Sequence, residues 1–160
     1  QYPGLDGGQN VTYIEKWSFG YRHYHEHKLE PRFWFGEGQS YTTFEMAKPK
    51  ISEDTDGGFK VKFTVSNTGK FKGATVPQLY LQLNRECDVP LFMLKKFEKV
   101  NLDVGESQDV EWTLDSRDVS VWNIDNDEWT KCKGDAMARL AWSANFQDEE
   151  TLLDLEFKVQ

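Results

Sequence analysis

Apolar and polar residues alternate with a period of two along most of the chain after residue 44. Phe59, Val61, Phe63 and Val65 alternate with Lys60, Lys62 and Thr64, and Leu79, Leu81 and Leu83 with Tyr80 and Gln82. Val110, Trp112 and Leu114 repeat the pattern, as do Ala136, Ala138, Leu140 and Trp142. Leu153, Leu155, Phe157 and Val159 form the last such run, with Asp154, Glu156 and Lys158 on the other side. Successive strand side chains point to opposite faces, so each run predicts a strand that buries one face. Val100 and Leu102 lead into a turn at Val104-Gly105-Glu106-Ser107, and Asn67-Thr68-Gly69 marks another. No window keeps helical spacing over three turns. Roughly seven short strands with turn signals between them, over roughly 115 residues, predict an all-β protein of two antiparallel sheets packed as a sandwich.

The first 44 residues read differently. Gln1 to Gln9 is rich in glycine and predicts an irregular arm, and Val11 to Phe19 a short strand or loop. The densest stretch follows: Phe33-Trp34-Phe35-Gly36-Glu37-Gly38-Gln39-Ser40-Tyr41-Thr42-Thr43-Phe44. Its two glycines suit positive φ or close approach to a neighbour, and Tyr41 to Phe44 has strand-forming composition. The organisation expected is an aromatic-rich arm over 1–44 and a sandwich over 45–160.

Composition narrows the partners. The net charge of −8 disfavours nucleic acid and anionic membrane surfaces. No apolar run approaches the roughly 20 residues of a spanning helix. Aromatics make up 14% of the 160 residues, which suits β-structure and contact surfaces for carbohydrate or protein. The chain starts at Gln1 without Met, as a mature form or an excised piece would. Asn10-Val11-Thr12 is a glycosylation sequon. Cys87 and Cys132 fit one disulfide or two free thiols. Taken with the sequon, secretion and a disulfide are the expectation.

The aromatic–glycine stretch resembles a junction of family 3 glycoside hydrolases, the β-glucosidases and their relatives. There, a Pro-Phe-Gly-His-Gly-Leu-Ser-Tyr-Thr-Thr-Phe segment leaves the second domain and enters a C-terminal fibronectin type III-like domain. Phe35, Gly36, Gly38, Ser40, Tyr41, Thr42, Thr43 and Phe44 match it, while Trp34, Glu37 and Gln39 replace its proline, histidine and leucine. Upstream, Gly20, Tyr21, Arg22, Tyr24, Glu30 and Pro31 follow the family in order. Downstream, Asn67-Thr68-Gly69, Gln78-Leu79-Tyr80, Leu94 to Val100 with Lys96 in place of glycine, Gly105-Glu106-Ser107 with Val104 for the preceding proline, and Arg117-Asp118 with Ser120-Val121-Trp122 continue the likeness. Lys133-Gly134-Asp135-Ala136 departs from the family's Pro-Gly-Glu-Tyr. The resemblance implies a fibronectin type III/immunoglobulin-like sandwich preceded by the tail of the second domain.

It also bears on activity. Hydrolysis in the family uses a carboxylate nucleophile and a carboxylic acid, which the resemblance places in the two preceding domains. No catalytic residue is therefore expected here, and no glycosidase activity from this chain alone. The expected role is a non-catalytic structural or protein-interaction module of a carbohydrate-active protein, with a protein partner or a second copy meeting the aromatic arm.

Two other chemistries are open. Trp17, Tyr24 and Trp34 are candidate sugar-stacking residues, which would make the chain a free-standing secreted module binding β-glucan or oligosaccharide. The competing reading of the arm's aromatics is packing, since burying one such ring contributes about 2 kcal/mol. His23, His25 and His27 lie two apart, and on a strand they would share a face able to hold zinc or copper. No other cofactor is expected. The Asx-rich segment between Trp122 and Trp129 lacks EF-hand spacing and reads as a turn, and Arg117 with Asp118 reads as a structural ion pair.

Overall fold

A computed structural model describes residues 15–147 and 152–160. The first strand of the sandwich, β1 (Phe44–Glu53), pairs with β2 (Phe59–Asn67), and β3 (Gly73–Thr75) and β4 (Gln78–Gln82) follow. A 3-10 turn at Arg85–Cys87 precedes β5 (Met93–Phe97), β6 (Val100–Leu102) and β7 (Ser107–Leu114). The chain then forms β8 (Ser120–Asn123), β9 (Glu128–Lys131), β10 (Gly134–Ala141) and β11 (Leu153–Val159). One sheet has three strands in the order β1-β2-β7, and the other has four in the order β11-β10-β4-β5. Two-stranded ribbons, β3-β6 and β8-β9, sit outside them. Every pairing is antiparallel.

The alternation sets both faces. Phe59, Val61, Phe63 and Val65 of β2 and Val110, Trp112 and Leu114 of β7 are buried against Leu79, Leu81, Ala138 and Leu140 of the opposite sheet. Full burial of a side chain of this size contributes about 1.5–3 kcal/mol relative to exposure. The polar half of the same pattern is paired across the strands. Lys62 lies opposite Glu111, Thr64 opposite Asp109 and Ser66 opposite Ser107. Their bonds measure 2.6, 2.7 and 2.7 Å respectively. Cross-strand pairs of this kind fix register, because a one-residue slip would turn the apolar set outward.

Two strands lie outside the alternating runs. Val100–Leu102 joins a side ribbon, and β5 takes the edge place in the four-stranded sheet. Met93-Leu94-Lys95-Lys96-Phe97 shows no alternation because its residues are neither fully buried nor consistently exposed. The arm differs from expectation. Residues Tyr21–Glu26 form one short helix, α1, rather than irregular chain or strand.

The motifs read separately in the sequence converge in space. Asn67 is buried, accepts a 2.7 Å hydrogen bond from Thr42 Oγ1 and donates to the Phe71 and Leu102 carbonyls at 2.8 and 3.2 Å. Gly69 fits there because a Cβ would lie 2.1 Å from Thr42 Oγ1. The junction stretch and the Asn-Thr-Gly turn are thus one interlocked unit at the end of the sandwich.

Candidate interaction surface

The arm is held down by aromatic packing. Trp34 is 8% exposed and joins Tyr80, Phe92, Ala141 and Ala144 in a second core behind the four-stranded sheet. His25 is stacked between Trp34 and Phe146, with ring centroids at 5.0 and 4.6 Å. Burial, more than the nearby Arg139 charge, lowers the His25 pKa below 6.5, against an opposing hydrogen bond with the Ala144 backbone. The Tyr21 hydroxyl accepts a 2.9 Å hydrogen bond from the Leu94 amide on edge strand β5. Arg139 lies over Phe92 and Phe146 and also pairs with Asp154 through Nε at 2.7 Å.

The Phe33-Trp34-Phe35 triplet therefore splits. The central indole points in, while Phe33 is 72% and Phe35 55% exposed, and Tyr41 further along the loop is 95% exposed. Two hydrogen bonds between Trp34 and Glu37 close the turn: Glu37 accepts from the Trp34 amide at 2.9 Å, and the Glu37 amide donates to the Trp34 carbonyl at 3.0 Å. The Ala144 amide donates to the Phe35 carbonyl at 2.8 Å. Gly36 has φ 80°, and a Cβ there would lie 2.3 Å from Gln78 Nε2. Gln78 in turn donates to the Trp142 carbonyl and accepts from the Tyr80 hydroxyl, so it cannot withdraw freely. Gly38 meets nothing within 4 Å. Of the two motif glycines, only the first is required by this chain's own packing.

The proposed sugar-stacking set is not assembled. Trp34 is buried, which removes its faces from a ligand. Tyr24 borders a cavity of about 210 Å³ beside Trp34, and Trp17 lines a different groove. The histidines are not on one strand face either. On a helix, residues two apart diverge, so His25 turns inward while the His23 and His27 rings, four apart, meet at a tilt with centroids 4.2 Å apart. His27 Nδ1 lies 3.0 Å from the His23 carbonyl oxygen. Among the described residues no group of three His, Cys, Asp or Glu side chains is arranged to hold a metal ion. Asn10 lies outside the described residues.

Trp17 lines a groove of about 560 Å³ with Trp122, Trp129, Arg117 and Asp88. The segment between the tryptophans is a hairpin turn as expected, with Asn123 Oδ1 accepting from the Asp125 and Asn126 amides at 2.9 and 3.2 Å. The expected Arg117–Asp118 pair is absent. Asp118 instead binds Lys95 and Lys96 at 3.4 and 3.2 Å, and the Arg117 guanidinium lies 4.3 Å over the Trp129 ring. Cys87 and Cys132 are joined by a disulfide, as expected. Sequence reading missed this groove because its aromatics are 112 residues apart at the extremes, Trp17 and Trp129. The two tryptophans bracketing the Asx-rich segment, Trp122 and Trp129, were the available signal.

Residues 75–144 match the fibronectin type III-like domain family. Probable beta-glucosidase G of Aspergillus flavus is 34% identical over 171 residues, covering 92% of this chain and 21% of that protein. Beta-glucosidase BoGH3A of Bacteroides ovatus is 38% identical over 149 residues, covering 90% of this chain and 20% of its own length. The chain belongs with the C-terminal, fibronectin type III-like region of family 3 β-glucosidases. The β-glucosidase DesR of Streptomyces venezuelae, solved with D-glucose, superposes on this fibronectin type III-like chain with TM-score 0.87 at 31% identity, over 99% of this chain and 20% of that one. Beta-glucosidase 3B of Thermotoga neapolitana, solved with α-D-glucose, gives TM-score 0.86 at 33% identity, over 99% and 22% respectively. The chain thus spans about a fifth of the length of the relatives it matches.

Two carboxylates, Asp54 and Glu111, are held below the ordinary carboxylate range. The Thr55 amide, followed by Lys60, lowers Asp54, and Lys62 lowers Glu111.

Proposed function

We propose that this chain is a non-catalytic structural and interaction domain of a secreted, carbohydrate-active protein, and that it docks a β-glucosidase-type catalytic region through the outer face of its arm. The observation that carries this is the two-sidedness of the arm. Trp34, His25 and Tyr21 fix it to the sandwich, while Phe33, Phe35 and Tyr41 stand out from it in a hydrogen-bonded loop. Rings held this far into water favour a covering partner. The relatives' fivefold greater length supports a catalytic-type domain as that partner. The Cys87–Cys132 disulfide supports an oxidising compartment.

A chimera tests the docking. This chain replaces the matching fifth of the Bacteroides ovatus relative, with Phe33→Ser, Phe35→Ser and Tyr41→Ser introduced together. The expected result is a lower melting temperature for the substituted chimera and an unchanged or higher one for the substituted chain alone. Equal effects in both settings, or none in either, would overturn the assignment.

A further inference from the structure

We infer that the groove beneath the β8–β9 hairpin is a binding site for neutral, pyranose-ring oligosaccharides, separate from the arm face used for docking. Three features point to this class of ligand. Trp122 and Trp129 are 47% and 45% exposed, form a cross-strand pair and meet edge to face at 5.6 Å, with Trp17 reaching the same groove from the arm. Aromatic faces accept the C–H face of a sugar ring, which is apolar although the ring's rim is hydroxylated; the Arg117 guanidinium covers one face of Trp129, so the stacking is assigned to Trp122.

The polar groups are of the matching kind. Arg117 rests on Trp129, and among the described residues its guanidinium makes no hydrogen bond or ion pair with the protein. Its planar donors are thereby pre-oriented toward the groove's ligand. Asp88 is exposed on the other wall and supplies an acceptor. Lys95 is engaged with Asp118, so it does not turn the site into an anion cradle. The volume, about 560 Å³, falls within the roughly 300–1,000 Å³ typical of small-ligand sites.

The walls are also braced. Asp115 and Asp118 exchange hydrogen bonds with each other's amides at 3.2 and 2.9 Å, which fixes the turn carrying Arg117. The disulfide ties the 3-10 turn beside Asp88 to Cys132, directly after β9. Bracing of this kind cuts the ordering cost of binding a weak, hydroxyl-rich ligand.

The test uses the full chain and β-1,3- and β-1,4-linked glucose tetramers, followed by tryptophan emission and titration calorimetry. The expected result is saturable binding with a Kd on the order of 1 mM or tighter. Trp122→Ala and Arg117→Gln should each weaken it about tenfold, with the circular dichroism spectrum unchanged because neither side chain is in the core. Phe33→Ser should leave it unaltered, so failure of the docking assignment and failure of this one are separable. No response to either tetramer at about 10 mM, or binding that survives both groove variants, overturns the inference.

Discussion

Asn67→Ala is the perturbation that most directly probes how the junction loop is locked to the sandwich. The amide side chain makes four hydrogen bonds: from Thr42 Oγ1, from the Gly69 amide, and to the Phe71 and Leu102 carbonyls. Alanine removes all of them and leaves a buried Thr42 hydroxyl and a buried Leu102 carbonyl without that partner. A hydrogen bond nets about 1 kcal/mol, and a stranded buried polar group costs about 1–3 kcal/mol. The expected loss is about 3–4 kcal/mol, or roughly 10 °C in melting temperature for a domain of this size. Urea melts of wild type and variant should show a lower midpoint with an unchanged slope. Thr68→Ala, which removes only exposed hydroxyl contacts to the Thr43 hydroxyl and carbonyl, should cost less than about 0.5 kcal/mol. A loss below about 1 kcal/mol for Asn67→Ala would refute the interlock.

Three further outcomes follow from the same geometry. Gly36→Ala should destabilise by more than about 1 kcal/mol, through the positive φ and the Gln78 clash, while Gly38→Ala should be close to neutral; thermal melts of the pair read the contrast. Reduction of the Cys87–Cys132 bond releases a constraint across 45 residues, for which the chain-entropy limit is about 4 kcal/mol, measured as the shift in urea midpoint with and without reductant. His25 is held below its ordinary pKa in the folded state, so the unfolded chain takes up its proton first as pH falls. Its contribution is full above about pH 6.5 and is lost progressively below, and His25→Phe should flatten the difference in unfolding midpoint between pH 7.5 and 5.5.

The sandwich was legible because its strands bury one face and solvate the other. Val61, Phe63 and Val65 announce their partners through the period of two alone. β5 was not legible, because this edge strand is only partly buried along its length: Tyr21 caps the Leu94 amide, and its own Lys95 and Lys96 are drawn to Asp118. The arm illustrates a second limit. A spacing of two for His23, His25 and His27 means a shared face only on a strand, and the chain there is one helical turn and a half. Trp34 was legible as an aromatic and not as a buried one, since burial depends on Phe146 and Tyr80, far along the chain. The Asn67–Thr42 interlock joins two motifs read separately, and only the register of β1 on β2 brings them together.

The most direct measurement of the central claim is hydrolysis of an aryl β-glucoside by the purified chain at micromolar concentration. A surface-docking domain without a reaction centre releases no aglycone above the buffer rate, at any pH from about 4 to 8 where carboxylate chemistry operates. Saturable release by the isolated chain, abolished by changing one of its own carboxylates, would contradict the claim.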